Sequence, residues 1–166
     1  CKDESVSIVP MELYYSWKEN ELELAKNELD IALHYNETGE LLETTPFIDE
    51  VMKADLVIDF SGDIWGDNAN FLGDDRFMVG LIKDRVAQLL GKKVVMLAGS
   101  PGPFSNKETL SFAQEVFKEF SLVTNREGVS IDLLERGGFD VTKTKSLACP
   151  AFLFEPAKGP EIEKIL

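Results

Sequence analysis

The chain has 166 residues, 44% of them hydrophobic, enough for one domain with a real core. Seventeen Lys and Arg against 30 Asp and Glu leave a formal charge of −13, which repels a polyphosphate backbone and argues against a nucleic-acid partner. No stretch approaches the roughly 20 apolar residues that span a bilayer, and the amino terminus lacks the basic segment and apolar core of a signal peptide, so the expectation is a soluble, cytoplasmic chain with no membrane span.

The amino-terminal part reads less sharply than the rest. "SVSIVPM" at 5–11 is a short β-rich run, and "WKENELELAKNELD" places Leu22, Ala25 and Leu29 on one helical face with acids on the other. "DIALHYNETGE" reads either as a second short strand ending in a turn at Gly39 or as a continuation of that helix. Pro46 suits the first turn of a helix running to Lys53, with Phe47, Val51 and Ala54 on one side.

From residue 55 the pattern sharpens. "DLVIDF" at 55–60 and "KKVVMLAG" at 92–99 are continuous apolar runs of the kind found in strands covered on both faces. Between them "DRFMVGLIKDRVAQLLG" sets Phe77, Leu81, Val86 and Leu89 along a helix that stops at Gly91, completing a βαβ unit. In "SNKE", Ser105 is placed to cap the next helix with Glu108 reaching back, and Leu110, Phe117 and Phe120 face the core. "SLVTN" at 121–125 is a further strand, "REGVSIDLLERGG" a helix closed by Gly137 and Gly138, and "TKSLACPAFLF" a last strand or extended segment. This alternation predicts an α/β domain: an open, mostly parallel sheet with right-handed crossovers and helices on both faces. "EPAKGP" at 155–160 is the one candidate boundary.

In such a sheet ligands bind beyond the carboxyl ends of the strands, so "SGDIWGDN", "GSPGPFSN" and "NREG" are expected to line one crevice. In the first, Gly62 and Gly66 permit unusual backbone conformations while Asp63 and Asp67 present carboxylates beside Trp65, a set that suits a sugar; the competing reading is a solvated turn with a half-buried tryptophan. In the second, the Pro101-Gly102-Pro103 core leads into a helix N-terminus, so its amides and Ser100 or Ser105 are placed to meet an anion, or else form a rigid turn. Arg126 follows a strand end directly and offers a planar, multi-donor partner to a phosphate or carboxylate, unless an ion pair with Glu127 or Asp132 occupies it.

The remaining candidates are weaker. Arg76 and Lys107 read as exposed helix residues, His34 as a surface or core residue rather than a catalyst, and Cys149 as a buried, inert thiol. With Cys1 and Cys149 the only cysteines and His34 the only histidine, zinc lacks soft ligands, and any metal would be a hard cation on carboxylates. Asp63, Asp67, Asp74 and Asp75 could gather around magnesium, but a solvated acidic loop is the preferred reading, so no metal site is assigned.

"ADLVIDFSGDIWGDN", "LLGKKVVMLAGSPGPFSN", "SLVTNREGVSIDLLERGGFDV" and "LACPAFLFEP", in this order, resemble the amino-terminal domain of the polysaccharide pyruvyl transferase family over roughly residues 50–156. The counterparts of the family's glycine-rich segment, its "I-G-P-F"-like turn, its "R-E-x-x-S" helix and its "D-P-A-F-L" strand are Ser61-Gly62-Asp63, Pro101-Gly102-Pro103-Phe104, Arg126-Glu127 with Ser130, and Cys149-Pro150-Ala151-Phe152-Leu153. The family's first strand with its G-N-x-G-D-like loop has no counterpart before "SVSIVPM", and Cys149 stands where the family has aspartate.

The resemblance implies a two-domain, glycosyltransferase-B-like enzyme that moves the enolpyruvyl unit of phosphoenolpyruvate onto saccharide hydroxyls as a ketal, with no cofactor beyond the donor substrate. Residues 1–156 would form its Rossmann-like amino-terminal domain and 157–166 the start of a linker to an absent carboxy-terminal domain, a division that a chain opening on Cys1 also suggests. Alone, this part would hold half an active site. Arg126, with Ser100 and Gly102, would then hold the donor, and Gly62, Trp65 and Asn68 the acceptor; chemistry would give Asp63 and Asp67 the task of orienting or deprotonating it. Two alternatives stay open: a nucleotide-sugar glycosyltransferase of the same fold, and a non-catalytic sugar-binding or assembly domain.

Overall fold

A computed structural model describes residues 7–14 and 20–153. Residues 7–10 are not a strand: they lead into a 3-10 turn, Met11–Leu13, while residues 5 and 6 lie outside the described part. The candidate boundary at 155–160 and the expected linker at 157–166 also lie outside it.

The first helix, α1 (Glu21–Thr38), settles the ambiguity at 31–40 in favour of one continuous helix. It ends where Gly39 adopts φ +75°, so that its amide donates to the Tyr35 carbonyl at 2.8 Å. Its core-facing stripe is Glu21, Ala25, Glu28 and Ala32, with Leu22 and Leu29 only partly buried. Two of the acids expected to face solvent therefore point inward.

Helix α2 (Pro46–Lys53) begins as expected with proline in its first turn, and the Thr45 side chain accepts from the Ile48 amide.

Strands β1 (Leu56–Asp59), β2 (Lys93–Gly99), β3 (Leu122–Asn125) and β4 (Thr144–Ser146) pair in that order, all parallel, into an open four-stranded sheet. Helices α3 (Arg76–Leu89), α4 (Lys107–Glu119) and α5 (Gly128–Arg136) connect consecutive strands, which gives the expected α/β architecture. The last segment differs in detail: β4 is three residues long, and 150–153 form a 3-10 turn rather than a strand.

Val94, Met96 and Val123 are buried on the face shared with Asp59, which meets Asp84 of α3. On the other side of β1, Leu56 and Ile58 stay 46% and 51% exposed. The apolar run "DLVIDF" is thus not covered on both faces among the described residues, and β1 is also the edge strand of the described sheet.

Helix α3 lies at the centre of the packing, burying Phe77, Val79, Leu81, Ile82, Val86, Ala87 and Leu89. Its polar residues are also internal. Arg76, expected to be exposed, is buried, with Nη1 donating to Glu21 Oε1 at 2.7 Å; Lys83, seven residues on, pairs with Glu28 in the same way. Thr45 adds a hydroxyl to Glu28 at 2.7 Å, and the Lys83 ammonium stands 4.2 Å from the Phe47 ring centroid. Both acids of the α1 stripe are therefore compensated, as buried charges must be.

Helix α4 is capped by Asn106 rather than Ser105. The Asn106 carboxamide oxygen accepts from the amides of Glu108 (2.9 Å) and Thr109 (3.0 Å). The core beneath α4 contains Phe117 and Phe120 as expected, with Leu110 partly buried at its margin.

Candidate functional site

The connections leaving β1, β2 and β3 meet at one rim, joined by their own backbone. Ser100 N donates to Gly62 O at 2.8 Å, Gly102 N to Trp65 O at 2.9 Å, Asp67 N to Pro103 O at 2.9 Å and Arg126 N to Gly99 O at 3.2 Å. Parallel strands end side by side at the same edge of a sheet, so their exit loops become neighbours, and these amides satisfy one another instead of water.

Two glycines make this approach possible. Gly62 adopts φ +65°, left-handed backbone that favours glycine. Gly66 packs directly on Gly102: a Cβ at 66 would stand 2.7 Å from the Gly102 Cα.

Trp65 is neither a surface plate nor the half-buried tryptophan of a solvated turn. It is 3% exposed, with Phe77, Phe104, Phe117, Phe120 and Phe139 ring centroids 5.6 to 6.2 Å from its own. The indole anchors the loop in the core, and its Nε1 donates to Asp84 Oδ2 at 3.4 Å.

The polar residues of the loop divide their tasks. Asp67 Oδ2 accepts from the Ser105 amide at 2.6 Å, and Asn68 Nδ2 donates to the carbonyls of Asp63 (3.2 Å) and Gly102 (3.4 Å). Both side chains thus clamp the loop after β1 onto the 100–105 turn. Asp63 is exposed at the rim. Among the described residues no group of three or more His, Cys, Asp or Glu is arranged to hold a metal ion.

Across the rim stands a compact charged cluster. Arg126 Nε donates to Ser100 Oγ (2.8 Å) and to Glu127 Oε1 (3.1 Å), while Glu127 Oε2 accepts from Ser100 Oγ (2.6 Å) and Ser130 Oγ (3.2 Å). These bonds, Ser100's first, together with the Arg126 charge hold the Glu127 carboxyl below its usual 4.5. The ion-pair reading of Arg126 holds: it pairs with Glu127, yet only through Nε, and its Nη amines carry no hydrogen bond among the described residues. Its side chain is 29% exposed. A fork held at Nε with two amines free can receive an anion at fixed orientation.

Beside this cluster runs a groove of about 660 Å³ between the 100–104 turn and α5, lined by Pro103, Phe104, Leu110, Val129 and Leu133, with Ser100 and Glu127 at its polar end. A second cavity, about 340 Å³, opens at the end of β1 against Asp59, Ser61 and Asp84.

Asp59 and Asp84 are two buried acids beside the rim that sequence reasoning missed. Neither has a periodicity or spacing that links it to the other; they meet because β1 packs on α3. His34 lies within α1, half-buried, and Cys149 is half-buried rather than buried.

A family model for polysaccharide pyruvyl transferase matches residues 4–165, nearly the whole chain. The chain belongs to the polysaccharide pyruvyl transferase family. No curated protein and no solved structure matches it significantly. Within this pyruvyl transferase-family chain the match covers all three connections at the rim and the Arg126-Glu127 cluster, and it reaches well before the quoted motifs, which begin near residue 50. No helix among the described residues is long and apolar enough to cross a membrane.

Proposed function

We propose that this chain carries the donor and acceptor rim of an enzyme that transfers a pyruvyl group from phosphoenolpyruvate to saccharide hydroxyls. The supporting observation is Arg126, pinned at Nε by Ser100 and Glu127 with both Nη amines left over at the meeting point of three loops. In this reading the Nη amines take the phosphate or carboxylate of the donor without help from the 100–102 amides, because Ser100 N and Gly102 N are bonded to Gly62 O and Trp65 O and Pro101 has no N–H. The opposite side of the rim, from Gly62 to Asn68, faces the saccharide.

The chemistry sets what the site must provide. Protonation of the donor's methylene carbon makes C2 electrophilic, a saccharide hydroxyl forms a bond to C2, and its proton passes to a base. The C2–O bond to phosphate then breaks, inorganic phosphate leaves, and a second hydroxyl closes the ketal. One diol and one phosphoenolpyruvate become one ketal and one phosphate. Asp63, exposed and free of the clamp that holds Asp67, is the assigned base. Arg126 neutralises charge on the departing phosphate. Trp65 drops out of the acceptor site, since its ring is enclosed by phenylalanines. The reaction assigns no resident cofactor, and a cytoplasmic location fits a water-soluble phosphorylated donor.

A net charge of −13 makes further basic groups necessary for a multiply anionic donor, which a second domain facing the rim would contribute. The test is phosphate release from phosphoenolpyruvate in the presence of saccharide acceptors, using the chain joined to whatever follows it in its parent polypeptide. Turnover that falls at least about 100-fold in Arg126→Ala, the scale of a lost oxyanion donor, supports the assignment; turnover unaffected by that change overturns it. Protection by a nucleoside diphosphate but not by phosphoenolpyruvate would instead identify a nucleotide-sugar transferase, and saccharide binding with no donor effect a sugar-binding domain.

A further inference from the structure

Asp59 is the last residue of β1 and Asp84 lies in the middle of α3, 9% and 4% exposed. Both carboxyl groups line the same cavity at the end of β1. Two buried carboxyls that share a site do not both ionise, and the one that keeps its proton can donate it to the other.

Both carboxyls also grip the loop that leaves β1. Asp59 Oδ1 accepts from the Ser61 amide at 2.6 Å and from the Ser61 hydroxyl, and Asp84 Oδ2 accepts from Trp65 Nε1 at 3.4 Å. The loop in turn supplies Gly62 O to Ser100 and Trp65 O to Gly102, the contacts that build the rim.

We propose that Asp59 and Asp84 form a proton-held latch that fastens the 61–68 loop to α3, and that losing the shared proton loosens this side of the rim. The inference does not depend on which donor the site takes.

Among the described residues, the lining of this cavity offers no substitute for the proton. Around the pair, β1 contributes Asp59, α3 contributes Asp84, the loop contributes Ser61 and Trp65, and α2 contributes only Phe47 to the adjoining cavity. Tyr14 lines the same cavity, and no Lys, Arg or His does among the described residues. The two cations adjacent to Asp84 in sequence are engaged elsewhere, Lys83 with Glu28 of α1 and Arg85 with Gln88 of its own helix. A second negative charge would thus stand beside a cavity whose described lining holds no cation.

Burial, and then the Asp59 charge and hydrogen bond, raise the Asp84 carboxyl well above its ordinary 3.8, against a smaller opposing effect of the Trp65 bond. The folded chain therefore holds a proton that the unfolded chain gives up. Stabilisation by the latch is complete below pH 3.8 and is lost as pH rises through the raised value of Asp84.

Hydrogen exchange of the full chain between pH 5 and 9 tests this, following amides 61–68, Ser100 and Gly102 after correction for intrinsic exchange. The expected result is a local opening equilibrium that grows with pH, at most about tenfold per unit for one proton. Asp84→Asn supplies an amide donor to Asp59 and an oxygen to Trp65, so it should keep these amides protected and remove the pH dependence. Flat protection in the native chain, or an unchanged slope in Asp84→Asn, overturns the latch. If Asp84→Asn does not fold, Asp59→Asn serves: a slope equal to that of the native chain overturns the proposal, and a reduced slope supports it. Carbon-13 NMR of the carboxyl groups adds an independent check, since Asp84 titrating in the ordinary aspartate range contradicts it.

Discussion

Gly66 rests against Gly102 so closely that a methyl group at 66 would overlap the main chain of the neighbouring loop, at 2.7 Å from both the Cα and the carbonyl carbon of Gly102. Neither backbone can retreat freely, because Gly102 N is bonded to Trp65 O and Asp67 N to Pro103 O on either side of the contact. Gly66→Ala should cost about 1–3 kcal/mol, the range for overpacking, read by chemical denaturation. Gly128→Ala is the control, since a Cβ there meets nothing within 4 Å, and it should be neutral or slightly stabilising.

Removing Glu28 strands a buried ammonium. Lys83 is 5% exposed and relies on the Glu28 carboxylate as its ionic partner. Glu28→Ala should destabilise the chain by about 3–5 kcal/mol, the usual penalty for breaking a buried pair. Replacing both residues, Glu28→Leu with Lys83→Met, should recover most of that loss. Thermal unfolding of the two variants side by side checks the difference.

The start of α4 offers a finer discrimination. Asn106→Ala removes the acceptor for two helix-end amides and should cost about 1 kcal/mol. Ser105→Ala leaves untouched the backbone amide through which Ser105 contacts Asp67, so its effect should be within about 0.5 kcal/mol. Equal losses in the two variants would contradict the assignment of the cap to Asn106.

Acid should dismantle the Arg126 cluster. The folded Glu127 carboxyl is held below 4.5, so its contribution is in place above that value and disappears as pH falls through the lowered one. Phosphate binding followed by calorimetry should fade in that acid range in the native chain, because Arg126 loses the partner that orients it. Glu127→Gln should bind more weakly at neutral pH and lack this acid limb. An identical pH profile in both chains would show that Glu127 does not position Arg126.

Much of this architecture is legible without coordinates, for definite reasons. "DLVIDF" and "KKVVMLAG" carry strand signals long enough to survive tertiary context, and Pro46 and Gly39 mark helix ends through backbone restrictions that neighbours cannot change. Convergence of the three loops follows from parallel strand order alone.

What escapes the sequence depends on partners far along the chain. Trp65 is drawn inward by five phenylalanines between positions 77 and 139, none of them visible in the local pattern "SGDIWGDN". Glu21 and Glu28 look like solvent-facing acids until Arg76 and Lys83, with the same spacing, are set opposite them. Ser105 and Asn106 are adjacent and both able to cap, and the choice is visible only once the Ser105 amide is seen to be engaged by Asp67.

The two ion pairs between α1 and α3 also restrict how the molecule can move. Both partners advance by seven residues, from Glu21 with Arg76 to Glu28 with Lys83, so the helices run side by side in the same direction, joined at two points about 10 Å apart by the helical rise. A plate held by one pin can pivot; held by two, it cannot. Sliding α1 by a single turn would carry both carboxylates off both cations together. The amino-terminal helix therefore detaches as a whole or stays put, with no half-way hinge.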